Sequence, residues 1–243
     1  MTIPIQELIE REMSKPEGRD NTTMYGIYGP NSRNIYGHLD EESPLVDPPF
    51  EIVPDTSSES VQRFLEELRQ DTEGVIPRWT RVYQAVYNKM RYFKRSKRDL
   101  LEIGGYDNSE KQAQKPVIPL SRFLIAGKGN CLEKAILAQL AFQNSGEESY
   151  VVVGNYGEMT LPNYHAFNLV NIDGVVNLMD IPNPKGPEIQ RLSAQDIMER
   201  AFVLPVGEVE DNYRFDAKSE FRGKPTERTY WFKVGFDPFM RWY

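Results

Sequence analysis

Few side chains in this sequence combine a thiol nucleophile with a base that titrates near neutral pH. It holds one cysteine, Cys131, and two histidines, His38 and His165. Cys131 follows Gly127-Lys128-Gly129-Asn130 and opens the best-formed helical stretch of the chain, Leu132 to Gln143. A thiol at a helix N-terminus faces the positive end of the helix dipole, which favours the thiolate. Backbone N–H groups there can hold a developing oxyanion. The flanking glycines predict close approach of a substrate backbone. The competing reading is a small buried hydrophobe, and Cys131 alone favours it.

His165 shifts that balance. It lies at the start of an alternating stretch, Tyr164 to Ile172, which predicts a strand. Asp173-Gly174 is a strong two-residue hairpin turn, and Val175 to Met179 is the return strand. A turn centred between 173 and 174 sets position 182 opposite His165. Asp180 then falls one alternate position away, on a neighbouring diagonal. A base beside the thiol can take its proton, and a carboxylate beside the base can orient the imidazole. The plainer reading of Asp180 is a strand-end cap before Ile181-Pro182-Asn183-Pro184. His38 stands near Asp40, Glu41 and Glu42, where a solvated turn is favoured over a metal site. One cysteine excludes an intrachain disulfide, and so few Cys and His exclude a structural zinc built from several of them. No Gly-Lys-Ser/Thr follows the Gly127-x-Gly129 pair, so it is no phosphate loop. We expect neither a cofactor nor a metal.

The elements that must position these groups are legible in part. Residues 1–56 read as an irregular N-terminal arm or strap. Ile3 to Met13 predicts a short amphipathic helix. Residues 15–55 are broken by glycine and proline, yet Tyr25, Ile27, Tyr28, Ile35, Tyr36 and Phe50 favour a strap docked on the body. From Ser57 a helix carries Val61, Phe64, Leu65 and Leu68, and a second runs from about Pro77 to Lys94. Arg98 to Ile103 adds a further turn, and Gly104 to Pro119 reads as a polar loop. Tyr150 to Val153 predicts a buried strand, Ser193 to about Phe202 a helix, and Thr229 to Val234 a last strand. Trp231, Phe232, Phe236, Phe239, Trp242 and Tyr243 read as core and docking aromatics. Helices followed by an antiparallel sheet make an α+β fold.

Gly129-Asn130-Cys131-Leu132-Glu133-Lys134-Ala135, Leu137, Leu140, Gly146 and Tyr150-Val151-Val152-Val153-Gly154 resemble the core of transglutaminase-like cysteine enzymes. So do His165-Ala166-Phe167-Asn168-Leu169-Val170, Asp173-Gly174, Val176 and Asp180. The resemblance covers about residues 127–184. It implies a papain-like α+β core within a catalytic domain at 57–243, with Cys131 as nucleophile, His165 as base and Asp180 as orienter. Phe167 stands where many members have Trp, and Ile181 separates Asp180 from Pro182. The longer glycine-rich and Asp-Val-Gly signatures of arylamine N-acetyltransferases, which share the triad order, are not visible. The second oxyanion donor is usually an upstream side chain in that superfamily. Gln112, Gln114 and Tyr106 are the candidates here.

The function expected from these residues is thiol-dependent hydrolysis of a protein or peptide amide through an acyl-enzyme. The alternatives are a protein transglutaminase or glutamine deamidase, and a non-catalytic interaction module that keeps the fold. The chain has 243 residues, 29 Lys+Arg against 36 Asp+Glu, and a formal charge of −7, so general nucleic-acid binding is not expected. Lys89, Arg91, Lys94, Arg95, Lys97 and Arg98 are a local exception. A solvated helix end is the favoured reading of that segment, and a docking patch for an acidic partner is the sharper one. No membrane contact is expected, because no apolar run long enough to span and no leader-like segment is present. A reducing, cytoplasmic setting suits a working thiol, though delivery into another cell as an effector is equally compatible with the residues.

Overall fold

The structure is a computed structural model. It describes residues 24–29, 32, 35–37, 50–70, 76–93, 95–106, 116–156, 163–173, 175–181, 202–205, 213–216 and 231–234, several strand residues by backbone alone. Strands β1 (Met24–Tyr28), β2 (Ile35–Gly37) and β3 (Phe50–Val53) come first. Helices α1 (Glu59–Gln70), α2 (Arg78–Lys89) and α3 (Lys97–Gly104) follow, then β4 (Val117–Pro119), α4 (Leu120–Ala126) and α5 (Cys131–Gln143). The remaining strands are β5 (Ser149–Tyr156), β6 (Asn163–Ile172), β7 (Val175–Asp180), β8 (Phe202–Pro205), β9 (Tyr213–Asp216) and β10 (Trp231–Val234).

The fold is α+β. An antiparallel sheet in the order β1-β5-β6-β7-β8 carries α5 on one face. On its other side α5 touches α1, α2 and α4. A smaller sheet, β2-β3-β4, pairs β3 with β4 in parallel, and β9 pairs with β10. The Asp173-Gly174 turn sets the β6–β7 register as the sequence predicts. Asp173 takes φ +50°, which a short Asp side chain tolerates, and Ile172 faces Val175 while Asn168 faces Met179.

Helix α5 is buried all round, from Cys131 to Phe142, and not along one stripe. That is the burial expected of a helix between two layers. Ala166, Val170 and Met179 join its core from β6 and β7, and Asn168 Nδ2 donates to Ala135 O at 2.9 Å.

Several elements differ from the sequence reading. Helix α2 stops at Lys89, with Met90 extended at φ −124° and ψ 128°. Residues past it are drawn off by tertiary partners. Phe93 packs on Phe123 of α4, and Arg95 reaches Glu133 of α5. The stretch read as irregular contributes three strands. β1 adds to the edge of β5, and β3 alternates strictly, with Phe50 and Ile52 buried. Helix α4 went unforeseen, although Pro119 before it and Gly127 after it are helix punctuation. The expected helices at 3–13 and 193–202 lie outside the described residues, except that Phe202 begins β8. No helix of the described residues is long and apolar enough to cross a membrane.

Candidate active site

The approach to Cys131 is built from two backbone segments laid side by side. Gly127 ends α4 at φ +61°, a left-handed position; its N–H donates to Leu124 O and the Lys128 N–H donates to Phe123 O. Arg91 N donates to Gly127 O at 2.8 Å, and Gly129 N donates to Arg91 O at 2.9 Å. Asn130 then caps α5. Its N–H donates to Glu133 Oε2 at 2.8 Å, and its Oδ1 accepts from Phe93 N at 3.4 Å. These bonds hold the residues just before Cys131 from both flanks.

Gly129 has a packing role and Gly127 a backbone role. A Cβ on Gly129 would lie 2.5 Å from Met90 Sδ and 3.2 Å from Glu133 Cβ. Gly127 serves the left-handed turn. Each glycine therefore has a structural reason of its own, independent of substrate approach.

Two charged residues beside Cys131 are buried. Glu133 is fully buried and pairs with the equally enclosed Arg95, whose Nη2 donates to Oε2 at 2.5 Å. Arg95 also lies over the Phe50 ring, 5.4 Å from its centroid. Lys134 is fully buried too, with Nζ 5.3 Å from the centre of the Tyr87 ring. Burial pushes the Tyr87 phenol above its ordinary pKa. Cys131 itself is 9% exposed. In the sequence Glu133 and Lys134 appear only as motif positions, and Arg95 only within the basic 89–98 segment. The one signal in the sequence is that Glu133 stands three residues after Asn130, as a capping box requires, which turns its carboxylate back to the start of the helix.

Connectivity brings the three expected site positions to one end of the sheet. Only Asn144–Glu148 separates α5 from β5, so helix and strand run antiparallel. β5 and β6 are antiparallel, with Gly154 opposite His165, so β6 runs in the same direction as α5. Ala135 is level with Asn168 through the 2.9 Å hydrogen bond. One helical turn back from Ala135, about 6 Å, reaches Cys131. Two residues back along β6, a rise of about 6.6 Å, reach Ala166, beside His165. The β6–β7 pairing ends at Asn168 and Met179; extended by one residue, the same register would set Asp180, the last residue of β7, opposite Phe167. By this reckoning the backbones of Cys131, His165 and Asp180 lie toward the same end of the sheet, and His165 and Asp180 are described by backbone alone.

Among the other expected positions, Tyr106 is engaged elsewhere. Tyr106 Oη accepts from Val117 N and donates to Val117 O, both at 2.9 Å, and so pins α3 to β4. That engagement removes it as an oxyanion donor. Gln112, Gln114 and His38 lie outside the described residues. Of the six cations at 89–98, Lys89 pairs with Glu67 at 3.0 Å and Arg95 is buried. Arg91, Lys97 and Arg98 are exposed, and Lys94 lies outside the described residues.

Among solved structures, one described as the crystal structure of a TGase aligns with 72% of this chain at 16% identity and a TM-score of 0.40. The alignment covers 40% of that chain, so the present sequence matches about two fifths of its length. No family model and no curated protein matches the sequence.

Proposed function

We propose that this chain is a thiol-dependent hydrolase of a protein or peptide amide. Cys131 is the nucleophile, His165 the general base and then acid, and Asp180 the orienter of the imidazole. One observation carries the reading. The lone cysteine heads a 13-residue helix that runs with β6, which brings it level with the backbone beside His165.

In this mechanism the Cys131 thiol passes its proton to His165, and the thiolate attacks the amide carbon. The first-turn N–H groups of α5 receive the oxyanion. His165 returns the proton to the leaving amine, which departs as the acyl-enzyme forms. Water, deprotonated by His165, then releases the acid and regenerates the thiol. An amine in place of water gives transamidation, the transglutaminase alternative. The burial of Cys131 favours the interaction-module reading, and a turnover assay separates the two.

The assay follows release of ammonia and new α-amine from peptide and glutamine amides, with and without methylamine. Turnover without methylamine, abolished in Cys131→Ala and reduced about 10²–10⁴-fold in His165→Ala, is the expected result. Methylamine incorporated in preference to hydrolysis assigns the transferase. Turnover that survives in Cys131→Ala contradicts the reading.

A further inference from the structure

The parallel bridge between Arg91 and Lys128 sets two exposed cations side by side, three residues before Cys131. Like charges directly opposite one another repel. Neither has an ion-pair partner among the described residues, in a chain of net charge −7. Exposed Arg122 lies one turn before Ile125 on α4, so the two share a helix face. Ile125 is 72% exposed and Tyr92 is 37% exposed, two of the three large apolar side chains so exposed among the described residues. The ridge of Arg91 and Lys128 is thus flanked in the chain by exposed Arg122 and Ile125 on one side and by Tyr92 on the other. The Arg91 backbone bonds on both sides of Lys128, to Gly127 O and from Gly129 N, which ties the bridged pair to the segment that leads into Cys131.

We propose that this ridge is a docking surface for an acidic polypeptide segment carrying an apolar side chain. It deepens the thiol-enzyme reading and rests on it only for the link to Cys131. A carboxylate set between Arg91 and Lys128 relieves their mutual repulsion, and Ile125 supplies contact that a phosphate backbone does not use. Charge complementarity and the aliphatic centre together select an acidic peptide over nucleic acid.

The test uses the full chain and a fluorescein-labelled glutamate decapeptide with one central leucine, read by fluorescence anisotropy at about 50 mM salt. A lysine decapeptide and a single-stranded oligonucleotide serve as controls. The acidic peptide binds in preference to both, and added salt weakens it. Arg91→Glu with Lys128→Glu lowers its affinity about tenfold or more, and Ile125→Ser lowers it several-fold. All these positions are exposed, so thermal melting stays unchanged; Arg91→Gln with Lys128→Gln replaces the reversal if it does not fold. Equal binding by the double variant, or an oligonucleotide bound as tightly with Ile125→Ser silent, overturns the proposal. The binding readout stands in Cys131→Ala, so its failure is distinct from failure of the enzyme reading. Bound peptide also slows iodoacetamide labelling of Cys131, and binding without that protection overturns the placement beside the thiol.

Discussion

Glu133 is the residue on which the setting of Cys131 depends. Its Oε2 receives both the Asn130 N–H and the Arg95 guanidinium in a buried site. Removing one partner of a buried pair strands the other charge. Glu133→Ala should therefore cost about 3–5 kcal/mol in urea unfolding. Glu133→Gln keeps an acceptor for Asn130 and should cost less. A loss in Glu133→Ala no larger than at an exposed position contradicts this account. Glu147 gives a pH test at the same scale. Burial raises its carboxyl above the ordinary 4.5, Arg78 opposes that shift, and Asp173 adds to it. A carboxyl raised in the folded state contributes stability below its unfolded pKa and loses it as pH rises through the folded one. Stability curves at pH 4 and pH 7 should thus show Glu147→Gln gaining on the wild type as pH rises. A constant offset between the two proteins rejects the shift.

Among the elements, the turn and helix that frame the site are the part most readable in sequence. Asp173-Gly174 sets the hairpin register because a two-residue turn leaves little freedom. The helix from Cys131 shows in its apolar content and its asparagine cap. Less readable is whatever tertiary partners decide. Helix α2 loses its last turn because Phe93 and Arg95 find partners on α4 and α5. Nothing in the sequence marks Glu133 and Lys134 as buried; their partners Arg95 and Tyr87 come from distant elements. The sequence does not show that Gly129 is needed for packing against Met90 or Gly127 for a left-handed turn. Gly129→Ala presses a methyl onto buried Met90 and should cost about 1–3 kcal/mol, with α5 displaced at its N-terminus. Ala166→Leu should act similarly, since Ala166 is 2% exposed and level with Cys131. Both variants should slow any Cys131 chemistry more than they change far-ultraviolet circular dichroism.

At the scale of the molecule, the early strands close the fold from outside. β1 covers the edge of β5, and Gln139 Nε2 donates to Tyr28 O at 2.9 Å and to Ser149 O at 3.2 Å. Deleting residues 1–29 exposes that edge and leaves Gln139 short of an acceptor. The truncated chain should self-associate on size-exclusion chromatography, as unprotected edge strands do; a stable monomer shows β1 to be dispensable. The same layered build keeps Cys131 at 9% exposure while placing it at the sheet end that holds His165 and Asp180. The central claim is that Cys131 and His165 form an activated pair. The most direct measurement is the rate of iodoacetamide labelling against pH, read by intact mass, for wild type and His165→Ala. A single rapid adduct near neutral pH, slowed strongly by His165→Ala in a protein that still melts cooperatively, is the predicted result. An ordinary thiol profile with its midpoint near 8.5, identical in both proteins, contradicts it.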